Sequence, residues 1–194
     1  MKNLTIIIDS GHGYNTKGKR SPDNRILEYK YCREMATELT ELLSNEYKVI
    51  NLMQNILYDE SLSSRCKRIN KLIKGNTIVI SLHLNAAGNG KQWYDANGWS
   101  VFVSTNASSK SKILASNLAE SALTHDLKVR KPLPTQNYWI KNLAICRDTK
   151  CPAVLVENMF MDNKEDVEFL LSNEGKHTLI NTIIDGIDRY YKQI

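Results

Sequence analysis

Three short apolar runs constrain the fold of this chain more than any other feature of its sequence. They occupy residues 4–9, 77–82 and 153–156, and they are too short and too rich in β-branched residues to be helices. Each run leads into a side chain that can bind a metal or move a proton, namely His12, His83 and Glu157. The sequence therefore predicts buried strands that deliver reactive groups to one edge of a sheet.

Helical stretches separate these strands. Amphipathic spacing predicts helices over residues 24–44, 61–74, 110–125, 164–172 and 176–191. Further strands are predicted at 47–52, 99–104 and 143–146, the last forming a hairpin-like end with 153–156, and residues 10–23, 86–98 and 127–142 are predicted to be irregular. This order predicts an α/β fold: one domain over residues 1–194, with a twisted, mixed and mostly parallel sheet of about six strands flanked by helices on both faces.

Composition places the chain among ordinary globular proteins. Hydrophobic residues make up 42% of its 194 residues and charged residues 24%, proportions that are not those of a disordered chain. No apolar run approaches the roughly 18 residues of a membrane span. Residues 6–8 are too few for the apolar region of a signal peptide. We therefore expect no membrane insertion and no cleaved leader.

The net charge of +5 is modest, and basic residues cluster at 17–20, 65–68 and 128–131. Each cluster is typical of a solvated surface, although together they permit a polyanionic partner. The basic and aromatic pattern of a nucleic-acid-binding module is missing, so nucleic acid is not expected. An anionic polymer such as a cell wall fits this charge equally well.

The four cysteines do not form a Cys-x-x-Cys pair. Cys32 and Cys66 fall on the apolar stripes of predicted helices, which indicates buried, reduced thiols that act as small hydrophobic residues. A disulfide between Cys146 and Cys151 is an alternative that the sequence leaves open.

Glu28 joins the reactive groups through its place on the first predicted helix. It lies four residues before Cys32, on the same stripe. A buried carboxylate is costly unless a partner compensates it, so this position indicates a ligand. A place in the first helical turn, favoured by the helix dipole and open to solvent, is the alternative. The loop from His12 leads into this helix, which favours the ligand interpretation.

Together these residues indicate a metallohydrolase. In open α/β sheets, ligands bind at the carboxyl ends of parallel strands. Two histidines and one carboxylate form a frequent catalytic zinc shell that leaves a position for water, and a further carboxylate is needed to take the proton from that water. We assign the proton transfer to Glu157, which would then pass the proton to the departing amine. A cation such as Arg147 would help to hold the oxyanion.

Motifs along nearly the whole chain resemble those of a known family. The first is Ile-Asp-Ser-Gly-His-Gly at 8–13, which resembles the family's opening Asp-x-Gly-His-Gly. The others are Glu28, Arg65 with Ile69-Asn70, Ser-Leu-His-Leu-Asn-Ala at 81–86, Asn97-Gly98, and Leu-Ala-Ile-Cys-Arg at 143–147 leading to Pro-Ala-Val-Leu-Val-Glu at 152–157. In this order they resemble the zinc-dependent N-acetylmuramoyl-L-alanine amidases of the type-3 amidase family, found in bacterial autolysins and phage endolysins.

The resemblance implies one Zn²⁺ per chain, held by His12, Glu28 and His83, with Glu157 as the catalytic acid and base. It implies hydrolysis of the amide between N-acetylmuramic acid and L-alanine in peptidoglycan. We expect one catalytic domain without a separate wall-binding domain. A zinc carboxypeptidase or deacetylase and a catalytically silent wall-binding protein are the alternatives. A chain without a leader would be made in the cytoplasm and act on the wall after release or by a non-classical route. We expect a monomer.

Other residues are weaker candidates. Asn85 and Arg147 are candidates for contact with substrate, with a surface or structural role as the alternative. Asp9 is predicted to orient His12 or to cap the turn. His125 and His177 are predicted to be solvated. The loop aromatic residues could stack on sugar or peptide; they are Trp93, Tyr94, Tyr138 and Trp139. Ser10 stands where the family has proline, and residues 14–15 stand where the family's motif continues with glycine. These departures concern the substrate contacts of the loop after His12 and not the metal.

Overall fold

The computed structural model describes all 194 residues. Six strands form one sheet: β1 (Thr5–Ser10), β2 (Lys48–Asn51), β3 (Thr77–Asn85), β4 (Ser100–Val103), β5 (Trp139–Ile140) and β6 (Ala153–Phe160). Six helices accompany them: α1 (Glu28–Leu43), α2 (Leu62–Leu72), α3 (Ser109–Thr124), α4 (Ala144–Arg147), α5 (Lys164–Leu171) and α6 (Asn173–Tyr191). None of the helices combines the length and apolar character that a membrane span requires.

The strand order is β2-β1-β3-β6-β4-β5. The first four strands in this order run parallel, β4 is antiparallel to β6, and β5 is parallel to β4. This confirms the predicted mixed, mostly parallel sheet. The carboxyl ends of β1, β3 and β6 consequently meet at one edge, where ligands bind in open sheets of this kind.

Alternation along the strands divides the core between two faces of the sheet. Ile6 and Ile8 of β1 face the larger core, which α1, α3 and α6 cover. Ile7 faces a smaller core that contains Cys66 of α2 and Cys146. All four cysteines are free, so the alternative of a disulfide between Cys146 and Cys151 is not realised.

Helix α1 begins at Glu28, four residues later than predicted. Ser21 explains the delay, because its hydroxyl hydrogen bonds to Asp23 and accepts the backbone N–H of Ile26. Asn24 lies between them with φ at +62°, in a turn rather than a helix. The delay places Glu28 in the first turn of α1.

The predicted strand at 143–146, and with it the hairpin-like end, is wrong. This stretch forms the single helical turn α4, in which Arg147 N–H donates to the Leu143 carbonyl. Ile145 and Cys146 are buried there against α2. A four-residue apolar run has the same pattern in a strand and in a buried helical turn. The sixth strand is instead β5, within the segment predicted to be irregular.

Strands β3 and β6 extend further than their apolar runs. His83 lies inside β3 and Glu157 inside β6, and the two residues are direct neighbours in the parallel register. Successive side chains of a strand point to opposite faces of the sheet. His83 and Glu157 therefore project from the same face as Val79 and Leu155.

Candidate metal centre

His12 sits in a tight turn directly after β1. Its φ is +60°, an uncommon conformation for a residue with a side chain, and such strain is concentrated at functional sites. The flanking glycines permit close packing. A Cβ on Gly11 would lie 2.2 Å from His83 Cε1, and one on Gly13 would lie 2.0 Å from the backbone nitrogen of Asp59. The Gly-His-Gly sequence is therefore required by the geometry of this turn.

Glu28 is fully buried, with 0% of its surface exposed. Its Oε1 accepts a hydrogen bond from the Leu84 backbone N–H at 3.1 Å and lies 3.0 Å from His83 Nδ1. Its Oε2 is buried without a hydrogen-bond partner, and Lys19 Nζ is 3.9 Å away. A buried carboxylate oxygen without a partner is costly, which is the situation that a bound cation relieves.

His12, Glu28 and His83 converge on one point. One ligand atom from each lies within 4.8 Å of the others. Glu28 Oε1 is 3.5 Å from His12 Nε2 and 3.0 Å from His83 Nδ1. Ligands of a tetrahedral zinc ion with bonds of about 2.0–2.1 Å are separated by roughly 3.4 Å. The donor set and its spacing therefore fit zinc.

Glu157 lies beside this cluster and is not part of it. Its Oε2 is buried and has no hydrogen-bond partner. Burial raises the pKa of Glu157 to about 7, with the negative charge of Glu28 acting in the same direction and His83 opposing it. A carboxyl group that titrates near neutral pH can both accept and donate a proton in one reaction cycle.

His12 and Glu28 are held in the protonation states that suit a metal ligand. Burial lowers the pKa of His12 to about 4, so its imidazole is neutral and free to act as a ligand. Burial alone would raise the pKa of Glu28, but its hydrogen bond with His83 lowers it, so Glu28 is ionised. The same bond raises the pKa of His83 against the effect of burial.

A buried network around Arg65 supports the His12 turn. Arg65 Nη1 donates to Asp9 Oδ1 at 3.2 Å and to the Ser10 carbonyl at 2.8 Å. Its Nη2 donates to Asp59 Oδ1 at 2.9 Å. The other oxygen of Asp59 lies 3.7 Å from His12 Nδ1.

The sequence did not indicate Asp59, and the role of orienting His12 was predicted for Asp9 instead. Asp9 contacts Arg65 and the hydroxyl of Ser81 instead of His12. The prediction that Asp9 orients His12 is therefore wrong. The sequence signals for this network were the motif that Arg65 forms with Ile69-Asn70 and the place of Arg65 on the buried face of α2.

Comparison with known proteins assigns the chain to a family. A family model described as N-acetylmuramoyl-L-alanine amidase matches residues 6–189. The chain belongs to the N-acetylmuramoyl-L-alanine amidase family.

Relatives of this amidase-family chain include bacterial and phage proteins. The Probable cell wall amidase LytH of Staphylococcus epidermidis is 28% identical over 98% of this chain and 60% of its own length. The Endolysin of Bacillus phage SPP1 is 24% identical over 93% of this chain and 62% of its own length. The chain thus spans about 60% of the length of these relatives.

Solved amidase structures share the fold. An N-acetylmuramoyl-L-alanine amidase from Clostridium difficile superposes with a TM-score of 0.84 at 23% identity, covering 99% of this chain and 98% of the other. The catalytic domain of CwlV from Paenibacillus polymyxa gives a TM-score of 0.82 at 24% identity, covering 99% of each chain. This chain therefore shares the fold of these structures.

The two predicted substrate contacts differ in their surroundings. Asn85 is the last residue of β3, half-buried at the edge of the sheet that carries His83, and its Oδ1 accepts the Ala86 backbone N–H at 2.9 Å. The guanidinium of Arg147 pairs with Asp148 and hydrogen bonds to Asn142. The contact of Asn85 does not test whether this residue binds substrate, which stays a prediction. The contacts of Arg147 place its positive charge against Asp148.

Loop 86–98 is tied to the rest of the amidase fold. The carboxylate of Asp162 accepts hydrogen bonds from the backbone N–H groups of Ala87 and Gly88, and the Asp162 carbonyl accepts one from the backbone N–H of Tyr94.

His125 and His177 lie away from the cluster. His177 is exposed, and His125 Nε2 is 2.8 Å from Asp185 Oδ2.

Proposed function

We propose that this chain hydrolyses the amide between the lactyl group of N-acetylmuramic acid and L-alanine in peptidoglycan, with zinc held by His12, Glu28 and His83. The observation that carries the proposal is the convergence of these three ligand atoms within 4.8 Å, with Glu157 on the strand beside them. Family membership over residues 6–189 supports the reaction class.

Zinc, when bound, would supply Lewis-acid polarisation of the scissile carbonyl and lower the pKa of a water molecule. His12 would present Nε2, and His83 would present Nδ1, the atoms that face Glu28. Glu157 accepts the proton of the attacking water and donates it to the nitrogen of the departing L-alanine. Because burial raises the pKa of Glu157 to about 7, the carboxyl group is suited to both halves of this transfer.

The test is digestion of purified peptidoglycan with mass analysis of the products, with and without a chelator. We expect new L-alanine amino termini, intact lactyl groups on the glycan, and loss of both with the chelator until zinc is restored. Release of C-terminal amino acids would instead show a carboxypeptidase, and release of acetate would show a deacetylase. Binding to the wall without any product would show a silent binding protein, which has no use for Glu157.

A further inference from the structure

An open cavity of about 620 Å³ adjoins the metal centre. Four cations lie in its wall, and no Asp or Glu does; the lining residues are Tyr14, Asn15, Thr16, Lys17, Gly18, Lys19, Arg20, Leu27, Tyr29, Asn89 and Lys91. Lys19 marks the side nearest the metal centre, because its Nζ lies 3.9 Å from Glu28 Oε2. The cavity therefore presents positive charge beside the proposed reaction site.

Three of the four cations of this cavity are not bound to any group of the protein, and only Lys19 approaches a carboxylate. Lys17, Arg20 and Lys91 form no ion pair, and their side chains donate no hydrogen bond within the protein. Elsewhere on the surface, Arg25 pairs with Asp23 and Glu168. Charges that are left without partners around one concave surface favour an anionic ligand.

Close backbone packing builds the cavity from two loops. Gly90 is buried against residues 18–20, and a Cβ on it would lie 2.8 Å from the carbonyl oxygens of both Gly18 and Arg20. Both glycines have positive φ, +75° for Gly18 and +76° for Gly90. The backbone N–H of Glu28 donates to the Lys19 carbonyl at 3.0 Å, which links the basic loop directly to helix α1. The cations are thus carried by a loop pair whose position relative to the metal centre is fixed.

We propose that this cavity binds a carboxylate of the peptidoglycan stem peptide. The inference rests on the proposed function and specifies which part of the substrate the chain recognises. The residue after L-alanine is D-glutamate, linked through its side chain, so its α-carboxylate is free unless the wall is amidated. An extended chain advances roughly 3.5 Å per residue, which brings the groups of the next residues within reach of a cavity that begins at Lys19.

The experiment measures how tightly the chain binds soluble muropeptides and how fast it hydrolyses them. The muropeptides carry no phosphate, so that any effect of negative charge comes from their carboxylates. Four substrates combine a carboxylate or an amide at the second residue with a carboxylate or an amide at the third. Affinity is measured by calorimetry in the Glu157→Gln background, so that binding is observed without turnover. We expect a carboxylate at one of these positions to tighten binding about tenfold over the fully amidated peptide, the effect of one hydrogen bond to a charged group. The four substrates identify which position it is.

The cavity variant is Lys17→Gln/Arg20→Gln/Lys91→Gln, which leaves Lys19 in place because it borders Glu28. It should bind the acidic and the amidated peptides equally. The control is Lys48→Gln/Lys67→Gln/Lys112→Gln, which removes the same charge from exposed lysines outside the cavity. This control should keep the tenfold preference.

Equal affinity of the unsubstituted cavity for acidic and amidated peptides would overturn the proposal, as would retention of the preference by the cavity variant. Equal loss in both triple variants would also overturn it, since that would show an effect of net charge. Hydrolysis by the chain with native Glu157 is followed in parallel. A preference in binding without any hydrolysis would refute the proposed function and leave the carboxylate site supported.

Discussion

Arg65→Met tests whether the buried network holds the His12 turn. Arg65 and Asp9 are each only 1% exposed, and Arg65 also donates to the Ser10 and Glu60 carbonyls and to Asp59. Removing the guanidinium leaves the Asp9 carboxylate buried with only the Ser81 hydroxyl as a partner. Loss of one member of a buried ion pair costs about 3–5 kcal/mol. The total free energy of unfolding of a domain is about 5–15 kcal/mol.

The assay is urea unfolding at pH 7 with the free energy of unfolding as the readout. Arg65→Met should lower it by about 3–5 kcal/mol, and adding Asp9→Asn should recover part of the loss because the unpaired charge is removed. The matched control is Arg147→Met, which breaks an exposed pair with Asp148 and should cost less than about 1 kcal/mol. A cost below about 1 kcal/mol for Arg65→Met, or no recovery in the double variant, would refute the role of this network.

Three further predictions concern the metal centre. Gly11→Ala should abolish zinc binding, because the new Cβ would lie 2.2 Å from the His83 ring; a zinc content equal to that of the unsubstituted chain would contradict this. Asp59→Asn should weaken zinc binding roughly 10- to 100-fold in a chelator competition, since a carboxylate beside the outer nitrogen of a histidine orients the ligand; unchanged affinity would show that the 3.7 Å approach to His12 Nδ1 has no such effect. Glu157→Gln should stabilise the metal-free chain at pH 8 by roughly 1–3 kcal/mol. The pKa of Glu157 is about 7 in the folded chain and 4.5 in the unfolded chain, so the unsubstituted protein loses stability as pH rises from 4.5 through 7. Thermal unfolding from pH 4 to 8 should show the stabilities of the two chains converging at the acid end. A constant difference in stability would contradict this.

The reactive residues could be predicted from sequence because each one interrupts a regular pattern. His12, His83 and Glu157 end apolar runs, and Glu28 occupies a buried stripe four residues before Cys32. The parallel order of three strands then brings the ends of those runs together. Patterns of this kind can be recognised within short stretches of sequence. The preference of parallel strands for right-handed connections then limits how those strands can be arranged in the sheet.

The supporting contacts could not be predicted in the same way. Arg65 meets Asp9 across 56 positions of the sequence, and no periodicity encodes that contact. The basic cavity combines Lys17 with Lys91 only because the two loops pack backbone against backbone at Gly90. Four apolar residues at 143–146 fit a strand and a helical turn equally, and packing against α2 selects the turn.

We propose that Glu157 performs the proton transfer while His12, Glu28 and His83 hold the metal. The most direct test measures zinc content and peptidoglycan hydrolysis together in Glu157→Gln. We expect one zinc per chain, as in the unsubstituted protein, with hydrolysis reduced by about 100- to 10,000-fold. Hydrolysis at the unsubstituted rate with zinc retained would contradict the assigned role of Glu157, and the absence of zinc from an active chain would contradict the metal centre itself.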